Sequence, residues 1–195
     1  ALVLMAKKDG LWHVKPTFWL PKEGLRDKAK SDRVPYDLWH KDGHLQAAPG
    51  KTVDYQYVAE YLRGLVDRLN VQKIAFDRWN FRHLKPWLLQ AGFDEHQLEG
   101  DRAIFEPFGQ GFQSMSPALR DLESVLLSEK MAHGNHPVLT MCAANATVQT
   151  DPSGNRKLSK SKSYGRIDGM VALAMAFGAA PTETAPALDV MAMLG

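Results

Sequence analysis

The stretch VQKIAFD, residues 71–77, decides how this chain is organised, because it is a short apolar run that ends in an aspartate. A run of this length is typical of a central strand in a sheet. Helical spacing precedes it between Tyr57 and Leu65, and a second helical segment follows at 80–91. A strand between two helices predicts an α/β arrangement that contains parallel strands.

The first 48 residues predict a different, antiparallel unit. Residues 1–7 form an apolar strand, Asp9-Gly10 is a strong hairpin signal, and the alternating stretch 11–20 is expected to pair back. Residues 21–35 are polar and charged, which predicts a loop. Residues 36–48 contain another Asp-Gly turn and are expected to complete a meander of three strands.

The second half of the chain again alternates strands and helices. The predicted segments are a strand at 103–107, a helix at 117–131, a hairpin that turns at 151–155, and a buried helix at 167–178. The fold class is therefore α/β, with a mixed sheet (an antiparallel three-strand meander plus parallel strands) and helices on both faces. One domain is expected over residues 1–179, followed by a flexible Pro/Ala/Thr-rich tail at 180–195.

The net charge of +2 is too small to indicate a binding partner, but the positions of the charged residues are informative. Five cationic residues and no acidic ones lie between Asp151 and Asp168, and such a cluster can meet phosphates or form a solvated basic loop. These are Arg156, Lys157, Lys160, Lys162 and Arg166. The single cysteine excludes an internal disulfide and suits a reducing compartment. No apolar run approaches the roughly 18 residues of a membrane span.

Two aspartates hold informative positions. Asp77 ends the predicted central strand, where open α/β sheets bind ligands, but its position alone favours a cap for the next helix. Asp168 begins the last helix, where a carboxylate is favoured by the helix dipole. The basic segment directly before Asp168 supports another interpretation. Carboxylates that bind a hard cation, beside lysines that hold phosphates, are what metal-dependent phosphodiester chemistry requires.

From about Trp12 onward, several segments together carry a resemblance to a known family. They are WHVKPTFWLP at 12–21, PYDLWHKDGHLQAAPGKTVDY at 35–55, IAFDRWN at 74–80 and SKSYGRIDGMVALAMAFG at 161–178. In their order and spacing the chain resembles the nuclease domain of the large terminase subunit of tailed double-stranded DNA phages.

The resemblance implies an RNase H-like fold and an endonuclease that cuts concatemeric double-stranded viral DNA. It implies two divalent cations, Mg²⁺ or Mn²⁺, held by acids on the first strand, at the end of the central strand and at the start of the last helix. Asp77 matches the second acid and Asp168 the third, so both are candidate catalytic and metal-binding residues. The five cationic residues named above become candidate DNA contacts, with Lys160, Lys162 and Arg166 foremost.

The same resemblance implies partners beyond DNA: the small terminase subunit, the portal of the procapsid and the ATPase domain of the large subunit. It implies the cytoplasm of the host cell as the location, and no membrane association. The ATPase domain does not match any part of these 195 residues.

The first acid has no match, because the strand at 1–7 contains no acidic residue and Asp9 lies in the turn at its far end. We therefore expect the activity of this chain to be impaired. Two alternatives stay open: a nuclease-fold module that binds DNA or partner proteins without cutting, and another RNase H-like enzyme such as a resolvase. Trp79 is expected to pack in the core, although it could instead stack on a base or sugar.

Overall fold

A computed structural model describes residues 1–79 and 81–180 of the chain. Its strands are β1 Leu2–Lys8, β2 Leu11–Thr17, β3 Trp19–Pro21, β4 Gln46–Ala48, β5 Ile74–Asp77, β6 Phe105–Phe108, β7 Met131–Ala132, β8 Val148–Thr150 and β9 Arg156–Leu158. Its helices are α1 Leu25–Asp32, α2 Tyr36–Lys41, α3 Tyr55–Arg68, α4 Phe81–Gln90, α5 Glu95–Leu98, α6 Phe112–Leu127, α7 Pro137–Asn145 and α8 Asp168–Gly178. The predicted tail lies outside the described residues from position 181 onward, and the domain boundary at 179 stays a prediction.

The predicted hairpin at the start of the chain is confirmed. Strands β1 and β2 pair antiparallel from Leu2 opposite Thr17 to Lys8 opposite Leu11. Asp9 and Gly10 both have positive φ angles, 52° and 80°. A two-residue turn with positive φ at both positions matches the twist of the flanking strands, which explains why Asp-Gly specifies this register.

The predicted three-strand meander is wrong. Strand β2 pairs on its other side with β7, in parallel, so the three-stranded sheet is mixed and draws its third strand from far along the chain. Residues 36–48 instead form helix α2 and strand β4, and β4 pairs in parallel with β3. The second Asp-Gly sequence ends α2: Gly43 has φ 82° just after the helix, which is the usual glycine stop.

The predicted loop at 21–35 is also wrong, since it contains helix α1. This helix is polar almost throughout, but it buries Leu25 and Ala29, which are one helical turn apart. Tyr36, at the start of α2, is buried with them in the main core. A few apolar contacts therefore fix both short helices, although the local sequence looks like a polar loop.

The predicted central strand is confirmed as β5, which pairs in parallel with β6 and sets Asp77 opposite Phe108. Helix α3 precedes it and is capped by Asp54, whose carboxylate accepts a hydrogen bond from the backbone N–H of Gln56 at 3.0 Å. Helix α4 follows it. The smaller of two core clusters forms around these elements and includes Leu62, Leu88 and Phe105.

Helix α8 is buried in the main core, as its almost wholly apolar sequence predicts. Leu173 and Ala174 are fully enclosed, and Gly178 lies directly against the ring of Phe108. Residues of β1, β5, α3 and α8 together line one cavity of about 870 Å³. Within the described part of the chain, no helix is both long and apolar enough to cross a membrane.

Candidate functional site

Asp77 is held in a defined orientation at the carboxyl end of β5. Its Oδ1 accepts a hydrogen bond from the backbone N–H of Trp79 at 3.1 Å, and its Oδ2 accepts one from the Gln110 amide at 2.9 Å. The first contact resembles the cap that the sequence favours, because it ties the carboxylate to the turn before α4. The second comes from the loop after β6, the strand beside β5. Both contacts leave Asp77 half-buried, with its carboxylate at the wall of the cavity.

Asp168 is the first residue of α8 and its side chain is 51% exposed. The ammonium of Lys160 lies 3.8 Å from its Oδ1, a loose ion pair of the kind that contributes little to stability at a solvated surface. The positive end of the helix dipole also favours a carboxylate here. Asp168 is therefore an accessible carboxylate at the start of a buried helix.

The two aspartates that the sequence singles out line the same cavity, together with Gln110 and Lys160. The start of β1 lies at the same end. Ala1, just before β1, also lines the cavity. A strand-end carboxylate and a helix-start carboxylate, 91 positions apart in the printed sequence, thus line the same cavity.

The carboxylate oxygens of the two aspartates are donors of the type that the implied cations take. Carboxylate oxygens are the ligands that Mg²⁺ and Mn²⁺ prefer, and Mg²⁺ is commonly held by one or two carboxylates with water and phosphate oxygens completing its shell. Asp77 and Asp168 supply donors of this kind. Among the described residues, no group of three or more His, Cys, Asp or Glu side chains is arranged to hold a metal.

Asp9 does not complete the set, as the sequence predicts. It also lines the cavity, but it sits in the turn after β1. A strand rises about 3.3 Å per residue, so Asp9 is roughly 25 Å along β1 from the end where Asp168 lies. Asp77 and Asp168 therefore remain the candidate carboxylates of the cavity.

The basic segment begins with the predicted hairpin. Strands β8 and β9 pair antiparallel from Val148 opposite Leu158 to Thr150 opposite Arg156. The turn between them is stabilised by Asp151, whose Oδ1 accepts hydrogen bonds from the backbone N–H groups of Ser153 and Asn155, both at 2.9 Å. Hydrogen bonds from Asn155 contribute most to a lowered pKa at Asp151.

Two of the five cationic candidates lie against helix α6. Arg156 donates two hydrogen bonds to the carboxylate of Glu123, at 3.3 and 2.8 Å, and these bonds lower the pKa of Glu123. The Lys157 ammonium lies 4.6 Å from the centre of the Phe112 ring, within cation–π range. Their positive charges therefore also fasten the hairpin to α6.

The other three candidates occupy the stretch between β9 and α8, and all are exposed. Lys160 contacts Asp168, as described above, and Arg166 Nε lies 3.9 Å from Asp32 Oδ2. Tyr164, between them, is 94% exposed. Of the three, Lys160 lies at the cavity that Asp77 and Asp168 line.

The expectation that Trp79 packs in the core is wrong, because its side chain is 73% exposed. Trp79 lies in the turn that leaves β5, and its backbone N–H is bound to Asp77. The ring therefore belongs to the turn, not to a strand face that packs on the core.

The contact of Gln110 with Asp77 was not predicted from the sequence. The available signal was a polar residue between two glycines just after a strand, GQG at 109–111, in the loop beside Asp77.

Comparisons with known proteins agree on one family. The sequence profile of "Terminase large subunit, endonuclease domain" matches residues 1–183. The large terminase subunit of Enterobacteria phage HK97 is 44% identical over 184 residues, which cover 94% of this chain and 35% of that protein. Protein YmfN of Escherichia coli strain K12 is 27% identical over 183 residues, which cover 88% of this chain and 38% of that protein.

A solved structure agrees with these matches. The crystal structure of the HK97 bacteriophage large terminase superposes with a TM-score of 0.82 at 43% sequence identity, covering 91% of this chain and 36% of that one. The chain therefore spans a little over a third of the length of each relative.

Proposed function

The chain belongs to the family of terminase large-subunit endonuclease domains, and from that membership we propose that it is a divalent-metal-dependent endonuclease that cuts concatemeric double-stranded viral DNA. The observation that carries the proposal is that Asp77 and Asp168 line the same cavity, together with Lys160, which contacts Asp168. Carboxylates beside a phosphate-binding cation are the groups that metal-assisted phosphodiester hydrolysis needs.

The fold is of the RNase H-like type, with helices on both faces of the sheet. Support comes from the mixed three-stranded sheet, the parallel pair β5–β6 and the placement of Asp77 at a strand end. Ligands of open α/β sheets bind outside the carboxyl ends of the strands, which is where the proposed chemistry takes place.

The side chains of Asp77 and Asp168 would hold a cation, Mg²⁺ or Mn²⁺, and a second ion would need a further donor. When bound, such an ion activates water and stabilises the developing charge on phosphate oxygens. Gln110 and the Trp79 N–H keep both Asp77 oxygens oriented. Lys160 neutralises Asp168 in the protein alone and turns to a DNA phosphate when DNA is bound.

The test is cleavage of supercoiled plasmid by the 195-residue chain, with Mn²⁺, with Mg²⁺ and with EDTA. Nicked and linear products that form only with a cation, and carry 5′-phosphate ends, are expected. Cleavage in EDTA would rule out the metal-dependent mechanism. A strong preference for four-way junctions over plain duplex would favour a resolvase instead.

A second function, DNA binding without cleavage, is favoured by one observation: within residues 1–79 and 81–180 no group of three acidic or other ligand residues is arranged for a metal. The same experiment separates the two. Duplex binding in EDTA combined with no cleavage at any cation concentration would support the binding module and contradict the nuclease.

The partners follow from family membership as proposals. The HK97 relative is a large terminase subunit, of which this chain matches about a third. We assign the chain to a genome-packaging assembly that contains an ATPase domain, a small terminase subunit and the portal of the procapsid, in the cytoplasm of the host cell.

The cationic residues next to the site make a testable contribution to DNA affinity. Replacing Lys160, Lys162 and Arg166 together with Ala should reduce the slope of log affinity against log salt by about 2.7, since each phosphate neutralised on duplex DNA contributes about 0.9. Fluorescence anisotropy with a labelled duplex in EDTA measures the slope.

The matched control is the double replacement of Arg156 and Lys157 with Ala. These charges already contact Glu123 and Phe112, so we expect a smaller change in the slope. An unchanged slope in the triple variant would mean that the stretch between β9 and α8 does not hold the DNA. A larger change in the control would assign that role to the hairpin strands.

A further inference from the structure

Trp79 is a large apolar side chain left exposed two residues after Asp77, one of the two candidate catalytic carboxylates. Its side chain is 73% exposed, although indole rings are normally well covered. Its position is nevertheless fixed, since its backbone N–H donates to Asp77 Oδ1. Trp79 does not line the cavity itself, but its backbone contact places it in the turn that directly follows Asp77, which does.

Further cationic and aromatic side chains lie next to Trp79 and on the first turn of α4. The guanidinium carbon of Arg78 lies 5.5 Å from the Trp79 ring centre, and Arg82 is exposed on the first turn of α4. His83 stacks on Tyr55, with ring centres 6.3 Å apart and planes 20° apart, and Tyr55 lines the cavity. Aromatic faces mixed with positive charge are typical of single-strand nucleic-acid surfaces.

The accessible face of the ring favours one form of DNA. Bases in a duplex are stacked on each other and offer a protein only their edges and the sugar–phosphate backbone. An unpaired base offers its face, and stacking on an aromatic ring does not depend on which base it is. Arg78 is close enough to Trp79 to bind the phosphate of the same nucleotide.

We propose that Trp79 is a stacking platform for an unpaired nucleobase, so that the site takes a locally single-stranded segment of DNA next to Asp77. This inference rests on the proposed function, because it concerns how DNA enters the same site. Trp79 would then be a positioning residue for the proposed nuclease. The DNA strand would be unpaired next to the bond that is cut.

The test compares wild-type protein with Trp79→Ala and Trp79→Phe in EDTA, where no cutting can occur. The probes are labelled oligothymidylate of about 15 nucleotides, near the upper end of common single-strand site sizes, and a duplex of equal length. Trp79→Ala should weaken oligothymidylate binding about tenfold, in the range found for single base–aromatic contacts, while Trp79→Phe keeps most of the affinity. Duplex affinity, dominated by phosphate contacts, should change by less than about twofold.

The matched control is Leu127→Ala, which removes another exposed apolar side chain, 80% accessible, from the end of α6. It should change neither affinity. Quenching of tryptophan emission by oligothymidylate should be present in wild-type protein and reduced in Trp79→Phe. Circular dichroism and thermal unfolding check that each variant is folded.

Unchanged oligothymidylate affinity in Trp79→Ala would overturn the proposal. An equal loss for oligothymidylate and duplex would also overturn it, because the ring would then contact the backbone of either form. The two tests fail separately, because DNA binding is measured without metal. Absence of plasmid cleavage would reject the nuclease function, whereas the stacking role of Trp79 is decided by oligothymidylate affinity.

Discussion

Asp77→Asn is expected to lower metal-dependent plasmid cleavage about a thousandfold, which corresponds to about 4 kcal/mol of lost transition-state stabilisation. The substitution keeps the shape of the side chain and an oxygen that can accept from the Trp79 N–H. It removes the negative charge that a divalent cation requires. Loss of cleavage without loss of folding would therefore assign the charge, not the packing, to catalysis.

Asp168→Asn should have a similar effect, since its carboxylate is the other donor at the cavity and is half exposed. Both variants should also lose the rise in thermal unfolding midpoint that Mn²⁺ gives the wild-type protein, because a ligand that binds only the folded state stabilises it. This second measurement reports metal binding without any turnover.

The control for both is Asp121→Asn, an exposed carboxylate on α6 that does not line the cavity. It should cut and bind Mn²⁺ as the wild-type protein does. If Asp77→Asn cut plasmid at the wild-type rate, the assignment of the site to Asp77 would be refuted. If only Asp168→Asn kept activity, Asp77 alone would hold the cation with groups other than Asp168.

The sequence predicted those strands and helices whose conformation is determined by their own residues. The β1–β2 hairpin follows from two residues that accept positive φ, and α8 follows from a segment too apolar to be exposed. The short helices α1 and α2 could not be predicted in this way. Each has few buried side chains, such as Leu25 and Tyr36, and the core that receives them is built from distant parts of the chain.

The sequence predicted where the candidate carboxylates lie in the fold but not their contacts. Asp77 ends a strand and Asp168 begins a helix as predicted, and the family resemblance, rather than position alone, made them candidates. The hydrogen bond from Gln110 and the bidentate contact between Arg156 and Glu123 each join residues 33 positions apart. Such partners depend on how strands and helices pack, and no local pattern encodes them. The exposure of Trp79 depends in the same way on the turn that Asp77 stabilises.

Gly169→Ala should lower the free energy of unfolding by about 2–3 kcal/mol, the upper part of the usual cost of overpacking. A Cβ at Gly169 would lie 2.8 and 2.9 Å from two ring atoms of Phe18 and 3.1 Å from a methyl carbon of Leu139. These side chains are buried in the main core and cannot simply turn away. Because Gly169 follows Asp168 in the first turn of α8, the strain should also displace the carboxylate and reduce cleavage.

Gly64→Ala is the matched control, since Gly64 lies within α3 and a Cβ there meets no atom within 4 Å. Alanine in a helix is favoured over glycine by about 0.5–1 kcal/mol, so this variant should be slightly more stable than wild type. Urea unfolding measures both. A Gly169→Ala protein as stable as wild type would mean that Phe18 relaxes freely. Combining Gly169→Ala with Phe18→Leu tests the cause directly: the pair should be more stable than the sum of the single effects, because removing the ring relieves the clash that the new methyl group creates.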